Sequence, residues 1–210
     1  IGRVEGYDAG FPTREYLGVT LGADSARIGP ALEALRQRLE SDPDVAGVTF
    51  VDRLPGESHI HRRVDLSRPD SPTAVVATAA VDPSYFDVLQ APIIAGRAFT
   101  HADVASGAHV AIVDQVFADS VMGGRNPIGH TIRLRTSQMP DSVVARLPRY
   151  EIIGLVKELG MSSMAMPPRV AGVYLPVAPG GLGAVNMIVH GRGDPLALAP
   201  RIRELALAVD

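Results

Sequence analysis

Apolar residues recur with a helical period near both ends of the chain. Ile28, Leu32, Leu35 and Leu39 are spaced i, i+4, i+7, i+11, and Leu198, Ile202, Leu205 and Val209 repeat that spacing, so each set lines one face of a helix. A short run of strand character precedes each helix: Tyr16 to Leu21 before the first, Val185 to Val189 before the second. After the first helix, Pro43, an apolar strand from Val45 to Val51 and Gly56 complete a βαβ unit. The second unit reaches Asp210 without a third element, whereas two folded βαβ units need a closing strand there. The expectation is that this strand has been cut off, with a short tail as the alternative. The pattern predicts an α+β fold with a split, ferredoxin-like βαβ/βαβ unit, both helices lying on one face of a shared sheet.

Between these units runs a strand-rich stretch punctuated by Gly and Pro. The predicted division is residues 1–56 with 180–210 as the α/β unit and 57–179 as an inserted, mostly β subdomain. Asp82 is a good N-cap and Pro83 suits a first helical turn, after which Tyr85, Phe86 and Leu89 share one face. Gly96-Arg97, following Pro92, Ile93 and Ile94, reads as a turn, because glycine takes positive φ freely. Val110 to Val113 reads as a buried strand, and Val116, Phe117, Ser120 and Val121 as a helix ended by Gly123-Gly124. Asn126-Pro127-Ile128-Gly129 predicts a turn into an alternating strand from Thr131 to Leu134.

The same stretch carries a family resemblance. V-D-P-S-Y-F-D-V-L, G-R-A-F-T-H-A-D, V-A-I-V-D-Q-V-F-A and G-G-R-N-P-I-G-H-T-I follow one another from Val81 to Ile132. This order resembles the extracytoplasmic core domain of FtsX/MacB-type ABC-transporter permeases, the MacB-like family with its large orphan-permease subgroup. Tyr150 to Val156 is similar to the family strand after the N-P-I-G turn, Pro168 to Pro176 to its P-x-x-x-x-V-Y-x-P segment, and Val189 to Pro195, with Leu198, Arg203 and Asp210, to its strand, G-D-P start and closing helix. The resemblance covers roughly Thr73 to Asp210, and more weakly Tyr16 to Gly56. The chain departs from the pattern at Lys157-Glu158 and in the longer Thr136 to Pro148 insert.

The resemblance implies a porter-like subdomain formed by the two chain ends, with a mostly β subdomain between them. It assigns structural motif roles to Pro83, Tyr85, Phe86, Gly96, Arg97, Asp103, Pro127, Ile128, Gly129, Gly154, Tyr174, Pro176, Asp194 and Pro195. It also implies a place between transmembrane helices of the same polypeptide, on the outer side of a bacterial cell membrane. There the domain pairs with a second permease copy and relays motion driven by a separate or fused ATPase, and a periplasmic adaptor is the further partner left open.

Composition narrows the alternatives. A chain of 210 residues with net charge −3 and pI near 6.1 has no overall electrostatic footprint for nucleic acid. The absence of cysteine removes thiol catalysis and Cys-based metal sites. No run approaches the eighteen apolar residues of a bilayer span, and the sequence starts at Ile1 without a charged-plus-apolar leader, so the expectation is an excised segment of a larger protein.

Candidate chemistry is sparse. His59 and His61 would sit on one face of a strand at a spacing that suits zinc or copper, with Glu57 and Asp65 nearby. Flanking Arg62 and Arg63 oppose a cation, so the expectation is no metal. Met161, Met164 and Met166 could bind Cu(I) or grip apolar ligands, and are expected in a loop near a partner surface. His101, His109, His130 and His190 are isolated and read as structural or surface residues. Hydrolase, metalloprotease and phosphate-loop templates are missing, and Asp194-Pro195 reads as a helix N-cap and first-turn proline. The expectation is a non-enzymatic domain without cofactor. The rival expectation is a freestanding periplasmic binding domain for a peptide, lipid or metal.

Overall fold

The computed structural model describes residues 11–21, 28–66, 73–136, 139–161 and 169–207. The terminal segments meet in one antiparallel layer. β1 (Tyr16–Leu21) and β2 (Val45–Val51) flank β10 (Val185–Gly191), with Tyr16 opposite His190 and Asn186 opposite Val51. α1 (Gly29–Glu40) and α6 (Ala199–Leu207) share one core with that layer. Their apolar stripes explain why: Leu32, Leu35, Leu39, Leu198 and Ile202 are buried beside Val48, Phe50, Met187 and Val189. Leu205 is half-buried, and Val209 lies outside the described residues. Among the described residues the outer edge of β1 has no strand partner.

The middle of the chain closes into a ring of six strands. In order these are β4 (Ala74–Val81), β3 (Ile60–Leu66), β7 (Thr131–Arg135), β8 (Tyr150–Val156), β6 (Val110–Asp114) and β9 (Gly172–Pro176). Parallel pairing of β4 with β9, from Ala77 opposite Gly172 to Val81 opposite Pro176, completes the circuit. Alternation decides what fills it: Val64, Val76, Val113, Ile132, Leu134, Ile152 and Val173, at least one from every strand, form one buried cluster. Phe117 and Ala118 of α4 (Gln115–Ser120), with Met122 just beyond it, pack into the same cluster, whereas Ser120 is exposed and Val116 and Val121 are half-buried. α4 therefore buries a narrower face than its sequence suggested. α5 (Asp141–Val144) lies in the long insert before β8.

The two regions touch through a narrow backbone contact and a broad apolar one. β2 and β4 share a single register pair, Val51 with Val81, flanked by the Asp82 amide donating to the Phe50 carbonyl at 2.9 Å. Around that point lies a third core: Val51 and Ile188 from the terminal layer; Ala79, Ile112, Val156 and Tyr174 from the ring; and Tyr85, Phe86 and Leu89 from α2 (Tyr85–Val88) and the residue after it. The ten strands are hydrogen-bonded as one sheet.

Two local expectations change. Gly96 does not make a turn but ends β5 (Ile93–Gly96), opposite Gly154 of β8 with φ of 78°, where a Cβ would collide with the Ile153 carbonyl oxygen. Asp82 does not cap α2 directly. Ser84 occupies the cap position, because the Asp82 carboxylate is held by Arg36 and by the Ser84 amide at 2.9 Å.

Candidate functional site

Most of the motif residues gather in two clusters on the outer side of the ring. In the first, the turn through Pro83 delivers Tyr85 and Phe86, both buried, onto Tyr174 of β9. Ring centroids lie 6.0 Å apart for Tyr85–Tyr174 and 5.2 Å for Phe86–Tyr174, with Phe99 tilted against Phe86 at 5.9 Å. Burial pushes both tyrosine hydroxyls well above their ordinary pKa, so these rings act as packing surfaces rather than acids. Pro176 closes the β9 pairing at Val81.

The second cluster is a clamp built from local sequence. The Arg97 guanidinium forks onto the Asp103 carboxylate at 2.7 and 2.8 Å, while Thr100 donates its amide and hydroxyl to the same carboxylate at 2.8 Å each. Asp103 in turn donates its amide to the Thr100 hydroxyl at 3.3 Å, giving a capping box that starts α3 (His101–Ala105). The Arg97 bonds are the main reason the Asp103 carboxyl is held well below the usual carboxylate range. Gly154 must be small here, because a Cβ would lie 2.5 Å from the Arg97 carbonyl.

The remaining motif residues stand apart from both clusters. Pro127, Ile128 and Gly129 form the turn into β7, with Gly129 at φ of 80° and its amide donating to the Ile152 carbonyl at 2.8 Å. Asp194 and Pro195 begin a short 3-10 turn before α6, where the Asp194 carboxylate accepts the Leu196 amide at 3.1 Å.

Sequence reasoning missed two buried charged groups. Arg36 of α1 donates to both Asp82 oxygens at 3.2 and 2.6 Å and lies 5.1 Å from the centre of the Phe50 ring. Burial disfavours its charge, but the Asp82 hydrogen bonds and charge prevail and raise its pKa. The available signal was position: Arg36 stands at i+4 from Leu32, on the apolar stripe. The other group is Asp114, fully buried at the end of β6. Its carboxylate accepts the Phe117 amide at 2.8 Å and the Gly172 amide at 2.9 Å, and burial pushes its pKa up to about 7 against those bonds.

His59 and Met161 take other places than expected. His59 is buried just before β3, its Nδ1 3.0 Å from the Glu57 carbonyl oxygen, and burial lowers its pKa, whereas His61 is exposed. The two rings therefore occupy unlike surroundings, and among the described residues no group of three His, Asp or Glu side chains is placed to hold a metal. Met161 is buried in the third core rather than in a surface loop, and Met164 and Met166 lie outside the described residues. His190 stacks on Tyr16 at 4.5 Å with Nε2 3.3 Å from Glu15, and the Tyr16 hydroxyl, pushed up to about 12 by burial and by Glu15, donates to the Val88 carbonyl.

These features define two linked β regions held by buried charged groups and a helix-capping clamp, with no cluster built for catalysis among the motif residues. The chain belongs to the MacB-like periplasmic core domain family, whose model matches residues 8–198. It is thus an extracytoplasmic domain of the MacB/FtsX-like ABC-transporter permeases, a transporter family rather than a family of enzymes. The fold is similar to the periplasmic region of MacB from Actinobacillus actinomycetemcomitans, with TM-score 0.56, 16% identity and coverage of 84% of this chain and 73% of that one. The extracellular domain of the noncanonic ABC-type transporter YknZ from Gram-positive bacteria gives 0.53, 17%, 90% and 86%. A permease-protein domain from Porphyromonas gingivalis gives 0.57, 19%, 95% and 87%. No curated protein matches the sequence. No helix among the described residues is long and apolar enough to cross a membrane.

Proposed function

We propose that this domain relays ATP-driven movement of the permease's transmembrane helices to the outer compartment. The observation that carries the reading is the placement of the chain's two terminal segments. β1 pairs directly with β10, and α6 follows β10 and shares a core with α1, so segments from the two ends of the sequence, with Tyr16 opposite His190, lie in one layer. Transmembrane helices attached to those segments would act on one rigid unit. In this reading residues 1–56 with 180–210 form the porter-like subdomain, and residues 57–179 form the part that it carries. Movement passes from one to the other through the β2–β4 junction, the shared apolar core and the Arg36–Asp82 pair, while the motif residues hold shape rather than bind ligand.

The partners proposed are the transmembrane helices of the same polypeptide, a second permease copy and a separate or fused ATPase, with a periplasmic adaptor as a further candidate. A relay needs two states that differ in contacts. Cysteine pairs introduced into this cysteine-free segment would lock the domain to its copy in the full transporter. Transport stimulated by substrate should then fall to the level of an ATPase-dead control and recover on reduction. Transport unimpaired in the locked state would overturn the relay and leave a static platform.

A further inference from the structure

The ring's outer face over β3 and β7 carries charge that the packing does not consume. Alternation sends Val64, Ile132 and Leu134 inward, so Arg63, Asp65, Arg133 and Arg135 face outward. Register then sets Arg63 directly opposite Arg135, and Val75 of β4 directly opposite Arg63. Like charges paired across strands oppose folding, so the arrangement is not explained by stability. Asp65 accepts from Arg135 at 2.8 Å and answers one of these charges. Arg133 donates to the Ala145 carbonyl at 3.3 Å, while its buried Nε has no acceptor. Arg63 is exposed and has no ion-pair partner among the described residues, and Arg146, next to that carbonyl, is exposed too.

Charge is concentrated here. Residues 60–66 and 131–151 hold six arginines against Asp65, Asp141 and Glu151, in a chain whose formal net charge is −3. Exposed apolar side chains border the arginines: Val75 is 54% exposed and Val143 of α5 is 44% exposed. We infer that this face is a docking surface for an acidic protein partner, in which carboxylates take the arginine forks and apolar side chains cover Val75 and Val143. Two observations favour a protein over anionic lipid headgroups. Arginine mixed with exposed aliphatic residues is the composition of a protein interface. The face also lies beyond the terminal layer in the sheet, with β3 two strands and β7 three strands from β2, whereas the proposed function attaches the membrane helices to that layer. That second point rests on the proposed attachment of membrane helices to the terminal layer, whereas the arginine face itself requires no relay.

The test uses a short fluorescein-labelled peptide of repeated Glu-Glu-Leu units, a Lys-Lys-Leu control, and vesicles of phosphatidylglycerol with phosphatidylcholine. Fluorescence anisotropy at low salt should show binding of the acidic peptide alone, weakening as salt rises. The R63E/R146E variant, changed only at exposed positions, should fold with an unaltered melting curve and bind about tenfold more weakly. V75A should weaken binding without changing its salt dependence. Absence of acidic-peptide binding, or binding unchanged in R63E/R146E, overturns the inference. So does vesicle binding with the same arginine dependence and no peptide binding, or self-association of the chain that R63E/R146E abolishes.

Discussion

Removing the Asp82 carboxylate should be the most damaging single change at the junction between the terminal layer and the ring. Its side chain is 1% exposed and that of Arg36 is 9% exposed, so neither charge can turn to water for compensation. In Asp82→Ala the guanidinium loses both acceptor oxygens of its buried partner and keeps only the half-exposed Glu33 carboxylate at 3.3 Å and the Ser84 hydroxyl at 3.2 Å, and the Ser84 amide loses its own partner. A buried charge left in this way costs about 3–5 kcal/mol. For a domain of this size that lowers Tm by roughly 6–20 °C. Arg36→Met should cost less, about 2–4 kcal/mol, because Ser84 still donates to the stranded carboxylate. The double variant leaves no buried charge, so its loss should fall short of the sum of the single losses by about 1–3 kcal/mol. Urea denaturation followed by circular dichroism measures all four proteins, with an unchanged m-value confirming that the unfolding reaction is the same. A loss below about 1 kcal/mol in Asp82→Ala, or strict additivity in the double variant, would refute the latch.

Asp114 should make stability depend on pH. Its folded-state pKa of about 7 lies above the ordinary carboxylate value, so its stabilising contribution is complete below about pH 4 and is lost as pH rises through 7. Relative to Asp114→Asn, wild-type stability should therefore fall between pH 4 and 8, by on the order of 4 kcal/mol at most, and parallel pH profiles would show the assignment to be wrong. Thr49, fully buried with an unpartnered hydroxyl, should accept valine with a gain of about 1 kcal/mol, read as a rise in urea midpoint. Gly154→Ala should lose about 1–3 kcal/mol because its Cβ meets the Arg97 carbonyl and Ile112, whereas Gly107→Ala, with open space at φ of 65°, should lose only about 1 kcal/mol. Equal losses at the two glycines would remove the steric argument.

The sequence by itself determined the faces of α1 and α6, the strands at Tyr16, Val45 and Val110, and the turn at Gly129. Each is encoded by neighbours: a 3.6-residue period points Leu32, Leu35 and Leu39 one way, and positive φ selects glycine where the turn needs it. The order of short motifs was enough to show the family, since G-R-A-F-T-H-A-D is a clamp and capping box closed within eight residues. Tertiary structure alone decided the partners. Every strand offers the same backbone donors and acceptors, so nothing local in β4 specifies that it pairs in parallel with the distant β9, Ala77 opposite Gly172, and closes the ring. Arg36 stood visibly on an apolar stripe, but its acceptor comes from a turn 46 residues later that only folding brings beneath α1. Asp114 carries no distinguishing mark in the sequence, and only the Gly172 amide and the walls around it make it a buried carboxyl. Met161 reads as a loop residue until the third core closes over it. The arginine face likewise exists only through register: a one-residue slip of β7 would turn Arg133 and Arg135 into the core and Ile132 and Leu134 into water, and burial of those apolar side chains is what forbids it.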